Sequence, residues 1–144
     1  MEREELLAAV GARLERIGDR QDLSPLAEPE AVTEVQRLAA ALTGDGDDLQ
    51  DAVEQASSVA GVLLLPVIGS MDPALLSAVV SLCQCIIDAT PDSHSDRAAR
   101  LGNLGAALGG RSMRTGLPGD LDAAIEAFRA AADAVPAGHS GRPP

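Results

Sequence analysis

The sequence contains no lysine, tryptophan or tyrosine, and Phe128 is its only aromatic residue. A core without aromatics has to be aliphatic. With 46% hydrophobic residues and 26 alanines, it must be built from Leu, Val and Ala, which suits closely spaced helices better than a sheet. Positive charge is scarce as well. All 11 basic residues are Arg, a bias expected of a GC-rich genome, and they face 22 acidic residues for a net charge of −11 and a pI near 4.4. That balance opposes binding to nucleic acid or an anionic membrane, either of which needs excess positive charge to replace counterions. Cysteine occurs only as Cys83 and Cys85. Two residues apart on a helix, these point to nearly opposite sides and cannot be bridged, so free thiols in a reducing compartment are expected.

Several signals are missing. Residues 1–5, Met-Glu-Arg-Glu-Glu, are acidic where a secretory signal would be basic and then apolar, so a cytoplasmic address is expected. The apolar runs 59–68 and 74–87 are each shorter than the roughly 20 residues of a membrane span. No HExxH, CxxC, GxGxxG or P-loop pattern occurs, and neither a cofactor nor a metal is expected. A length of 144 residues suffices for one compact domain with a real core.

What is present is a repeat. Pro91, His94, Ser95 and Arg97 return as Pro136, His139, Ser140 and Arg142, an offset of 45, with helical sequence between. A fixed offset of this kind marks a helical repeat array. Ser93 or Ser95 can cap a helix to about Met113, and Asp120, after Pro118-Gly119, can cap a second to about Val135. Leu101, Leu104 and Leu108 form one stripe of the first helix. Gly102, Gly105, Gly109 and Gly110 each cost a helix roughly 1 kcal/mol against alanine, which close helix packing would offset. On the second helix Leu121, Ile125, Phe128, Ala132 and Val135 form the stripe expected to be buried, and Asp122, Glu126, Arg129 and Asp133 the solvated one. The expected core is Val79, Leu82, Leu104, Leu108, Ile125 and Phe128.

Asn103-Leu104-Gly105 and Leu108, followed by Ala124, Phe128, Ala131 and Pro136, resemble the signature of tetratricopeptide repeats. A longer pattern looks like the extended repeats that precede the caspase-like CHAT domain in actinobacterial proteins. It consists of Pro91, His94, Asp96-Arg97-Ala98, Leu101, Asn103-Leu104-Gly105, Ala107-Leu108, Arg111, Arg114-Thr115-Gly116 and Asp120-Leu121-Asp122 with Ala124-Ile125-Glu126. The match covers about a third of the chain. It departs from the ordinary tetratricopeptide pattern by a longer hairpin connection. The resemblance implies an all-α, right-handed solenoid segment whose first-position helices line a concave groove, with any catalytic His and Cys in a separate, later domain.

Taken in order, Leu7, Val10, Leu14 and Ile17 give a first amphipathic helix over 2–18. A polar connection with prolines spans 18–29, and Val32, Val35, Leu38 and Leu42 mark a second helix from Pro29, stopped at 43–46. A third helix runs over 48–65, ended by Pro66 and Gly69-Ser70, and Asp72-Pro73 opens a fourth over 73–89. Thr43-Gly44 and Asp48-Leu49 echo Thr115-Gly116 and Asp120-Leu121 at an offset of 72, which competes with the 45-residue period; the period is kept. The fourth helix is uncharged between Asp72 and Asp88 and polar only along Ser77, Ser81, Gln84 and Asp88, as suits a middle hairpin packed between two others. The expectation is one domain of three antiparallel hairpins, about 2–43, 48–89 and 94–135, with 136–144 the start of a further unit or a disordered tail.

For chemistry, Cys83 with His94 is the one thiol and imidazole pair available. Cys83 falls at the repeat position of Phe128, so it reads as a small buried hydrophobe, and no catalytic residue is expected. Arg97, Arg100, Arg111 and Arg114, with Asn103, share neighbouring sectors of one helix. They could hold an acidic or C-terminal carboxylate peptide, or simply form an ion-pair edge with acidic residues of neighbouring units. The function expected is a non-catalytic protein-interaction or regulatory segment of a longer protein. A homo-oligomerisation module, dimeric through the C-terminal hairpin, is the first rival, and a small enzyme or thiol sensor using Cys83 and Cys85 the second.

Overall fold

The computed structural model describes residues 3–18, 23–43 and 48–134, and among them all regular structure is helical. The helices are α1 (Arg3–Ile17), α2 (Ser24–Ala27), α3 (Pro29–Ala41), α4 (Leu49–Ser70), α5 (Pro73–Asp88), α6 (Arg97–Thr115) and α7 (Pro118–Ala134). The fold class is therefore all-α, as the alanine-rich, aromatic-poor composition required. The starts at 3, 49 and 97 alternate with starts at 29, 73 and 118, and each of the latter is a proline. Proline suits the first turn because its missing N–H would have had no intrahelical partner there. At Asp72 the carboxylate also accepts from the N–H groups of Ala74 (3.0 Å) and Leu75 (3.3 Å), closing the cap that Asp72-Pro73 announced.

Helix α5 is the centre of the packing. It lies against α3, α4 and α6, α1 lies against α3 and α4, and α6 packs along α7. Val79 and Leu82 of α5 are fully buried, and Leu101, Leu104 and Leu108 of α6 are buried. α4 adds Val53, Ala56, Leu63 and Val67 to the core.

Several boundaries differ from the sequence reading. Pro66 lies inside α4. The carbonyl it deprives of a donor belongs to Val62, a residue 63% exposed, where water can satisfy it. α4 runs on to Ser70, where Gly69-Ser70 is expected to stop it, and is capped by Met71, held left-handed at φ 55°. At 22 residues it has the length and apolar composition of a membrane span, although seven of its residues pack into the core. The connection 18–29 contains α2, which buries Pro25 and Leu26. Neither Ser93 nor Ser95 caps α6: His94 Nδ1 accepts the Asp96 N–H at 3.0 Å, and the chain stays in turns until Arg97. α7 begins at Pro118, so Asp120 lies within its first turn rather than capping it. Val135 and residues 136–144 lie outside the described residues.

The largest correction concerns α7. Ile125 and Phe128, expected in the core, are 41% and 49% exposed, and Leu121 is 52% exposed. The face that α7 buries against α6 is Ala124 and Ala127. The residues of α5 that stand 45 positions earlier, Leu76, Val80 and Cys83, are exposed by 1%, 8% and 2%. Leu76 abuts Gly110 of α6, so the Leu76 end of this stripe is covered by the helix that follows.

Of the four glycines in α6, two make close contacts. A Cβ at Gly105 would stand 2.9 Å from the Phe128 ring, and one at Gly110 would stand 2.9 Å from Ile68 Cγ1 and 3.5 Å from Leu76. Gly102 and Gly109 have nothing within 4 Å. Gly110→Ala is therefore expected to cost about 1–3 kcal/mol through overpacking. Gly109→Ala should gain about 0.5–1 kcal/mol of helix stability. Opposite shifts of the two thermal midpoints would establish this, and a shift of the same sign would refute it.

Candidate functional site

The five residues singled out on α6 follow one another along the helix, and the structure draws each arginine into the chain itself. Arg97 Nη1 donates to the carbonyls of Thr90 (2.6 Å) and Ile87 (3.4 Å). Arg100, only 3% exposed, donates to Thr90 Oγ1 at 3.0 Å and Glu54 Oε1 at 2.9 Å. The last carbonyls of α5 have no intrahelical donors and carry the negative end of the helix dipole, so cations settle there. Thr90 Oγ1 itself donates to Ile86 O at 2.6 Å, and Gln50 of α4 reaches Ala89 O at 3.0 Å. Arg114 repeats the arrangement at the end of α4, its Nε donating to Met71 O at 2.9 Å. Arg111 forks onto Asp120 at 2.8 and 2.9 Å and holds that carboxyl below the usual carboxylate range. Asn103 lies over Gly61, its Nδ2 3.8 Å from where a Cβ would stand.

These arginines fasten α6 to α4, α5 and α7. Replacing Arg97 and Arg100 with Ala would therefore disturb the α5–α6 junction as well as any partner contact. Sequence periodicity could place the four in one sector, but it carried no signal that the carbonyl ends of α4 and α5 lie within their reach.

The same junction gathers Glu54, His94 and Asp96, whose ligand-capable atoms lie within 4.8 Å of one another. The arrangement is a hydrogen-bond chain. His94 Nδ1 accepts from a backbone N–H, so Nε2 carries the proton and donates to Glu54 Oε1 at 3.1 Å. That oxygen also accepts from Arg100 Nη2 at 2.9 Å, so it is shared by two donors of the chain itself. His139 lies outside the described residues.

Cys83 is buried, and desolvation pushes its thiol up to about 12. Burial, and after it the charge of Asp88, also raises Cys85. Both remain neutral thiols, the opposite of what a nucleophile requires.

Large apolar side chains open to solvent occur on α4, α6 and α7. Val62 and Leu65 project from α4, Met113 from the end of α6, and Leu121, Ile125 and Phe128 from α7. α4 has α5 behind it and packs on α1 and α6, which leaves the Val62 and Leu65 side open. No protein-family model, curated protein or solved structure matches this chain.

Proposed function

We propose that this chain is a non-catalytic protein-interaction segment built as three antiparallel hairpins, α1–α3, α4–α5 and α6–α7, stacked in the manner of tetratricopeptide-like extended repeats. The regular helix starts support that architecture, as do the neighbour relations of α1 with α4, α4 with α6, and α3 with α5. In such a stack α1, α4 and α6 form one layer and α3 and α5 the other. The resemblance of residues 91–136 to repeats that precede a CHAT domain agrees with a regulatory place in a longer, cytoplasmic protein.

The observation that carries the functional reading is apolar surface left open on a helix whose other faces pack into the core. Val62 and Leu65 on the first-position layer are 63% and 78% exposed, and contiguous exposed apolar surface marks interaction sites. The partner is a protein or peptide with an apolar helical face. An acidic peptide held by the arginines is the weaker variant, because Arg97, Arg100 and Arg111 already have partners. At a net charge of −11, nucleic acid and anionic membranes are not partners. Selection from a displayed peptide library on the immobilised native chain should enrich amphipathic helical peptides that no longer bind Leu65→Asp. If every selected peptide bound the variant as well as the parent, the first-position layer would not be the interaction surface.

A further inference from the structure

On the reading of the chain as an interaction module, we propose that the outer face of α7 is a self-association surface, on which two copies pair through antiparallel α7 helices about a twofold axis. The first observation is the 45-residue equivalence. Leu121, Ile125 and Phe128 lie 45 residues after Leu76, Val80 and Cys83, and in α5 that stripe is buried, with Leu76 against the next helix. The stripe on α7 is thus shaped to receive a helix. The second observation selects the occupant. The exposed residues of α1 are Glu4, Glu5, Ala8, Ala12, Glu15 and Arg16. This mainly acidic face has no large apolar side chain to seat against the stripe, which disfavours a second copy continuing the stack head to tail through α1 and favours a closed twofold contact.

The third observation is charge register. Asp122 and Arg129 border the stripe on the same side, about a quarter turn from it on a helix of 3.6 residues per turn. In an antiparallel pair with the axis between Ile125 and Glu126, position 122 of one helix lies level with position 129 of the other. The twofold keeps both on the same side of the seam. Each Arg129 then meets the partner copy's Asp122, twice over, while Leu121, Ile125 and Phe128 stack across the axis. Glu126, nearest the axis, already has Arg129 of its own copy at 3.5 Å. One helix pair buries less than the roughly 800 Å² per partner of a standard interface, so the dimer belongs in the micromolar range.

Two copies of net charge −11 repel, so the test is sedimentation equilibrium at physiological salt, where the Debye length is about 8 Å. The parent should be a dimer at high micromolar concentration, and Ile125→Glu a monomer with unchanged helical circular dichroism. Asp122→Arg and Arg129→Asp, both at exposed positions, should each weaken the dimer about tenfold, and the double exchange should restore it. A monomeric parent, or a dimer indifferent to Ile125→Glu, would overturn the proposal. So would a double exchange that fails to restore association. None of these outcomes touches the α4 surface, where Leu65→Asp tests the interaction reading separately.

Discussion

Leu82→Ala should lower the stability of this chain by about 2–5 kcal/mol, the cost of removing buried methyl groups and leaving part of the space empty. Leu82 is fully buried on α5, the helix packed against α3, α4 and α6, so no single neighbour can collapse into the gap without losing contacts elsewhere. A domain of this size is stable by about 5–15 kcal/mol, so the loss is a large fraction of the total. Phe128→Ala serves as the contrast. It removes a larger side chain, but one that is 49% exposed and rests with one edge on Gly105, so its cost should be less than half as large. Urea denaturation with an unchanged slope measures both. Equal losses for the two variants would mean that α7 turns its aromatic face inward and that the packing order described above is wrong.

Arg13→Ala should be the most disruptive change of a charged residue. Arg13 is 8% exposed and ties three helices together. It forks onto Glu34 of α3 at 2.7 and 2.9 Å and reaches Glu28 at 2.6 Å and the Pro25 carbonyl of α2 at 2.8 Å. Truncating one member of a buried pair costs about 3–5 kcal/mol when the other charge is stranded. The expected loss here is nearer to about 2–3 kcal/mol, since 39% of the Glu28 side chain stays exposed. Arg13→Lys should recover little, because an ammonium cannot make the fork.

The pH dependence separates the ionic part of this loss from the packing part. Arg16 first, and Arg13 after it, hold the Glu28 carboxyl down at about 2 from an ordinary 4.5. A carboxyl depressed in the folded state contributes stability above its unfolded value and loses it as the pH falls through the folded one. The parent should therefore lose stability between about pH 5 and pH 2, with Asp120, held down by Arg111, adding to the loss. The difference between parent and Arg13→Ala should be constant above about pH 5 and shrink below it. An undiminished difference in acid would assign the effect to packing alone.

The helices themselves were legible in the chain. Spacing of Leu and Val, Pro29 at the start of α3 and Asp72-Pro73 at the start of α5 report local backbone preferences, which act within a turn or two and need no partner. α2, and the start of α7 at Pro118 rather than after it, were not legible in them. The acidic balance, and the aliphatic core that the lack of aromatics imposes, were equally plain. Less legible was which way each face points. On α7 an apolar stripe and an alanine face both repeat at helical spacing. The small side chains of Ala124 and Ala127 face α6, and Gly105 leaves room only for the edge of the Phe128 ring, so the alanine face went inward and Leu121, Ile125 and Phe128 stayed largely out. The arginines of α6 show the same limit. Their common sector follows from the helical repeat of 3.6 residues per turn, yet whether they meet solvent or the carbonyl ends of α4 and α5 depends on where those two helices lie.

By itself, then, the sequence determined the all-α class, the places where most helices start, the aliphatic character of the interior and the polyanionic surface. Each of these follows from the chemistry of single residues and their immediate neighbours. Only the tertiary structure decided that Pro66 is tolerated within α4, that the arginines serve as fastenings, and that the apolar stripe on α7 is open while Leu76, Val80 and Cys83 on α5 are covered. Those outcomes depend on which groups compete for the same space and the same hydrogen-bond acceptors, and that competition is settled between helices rather than within one.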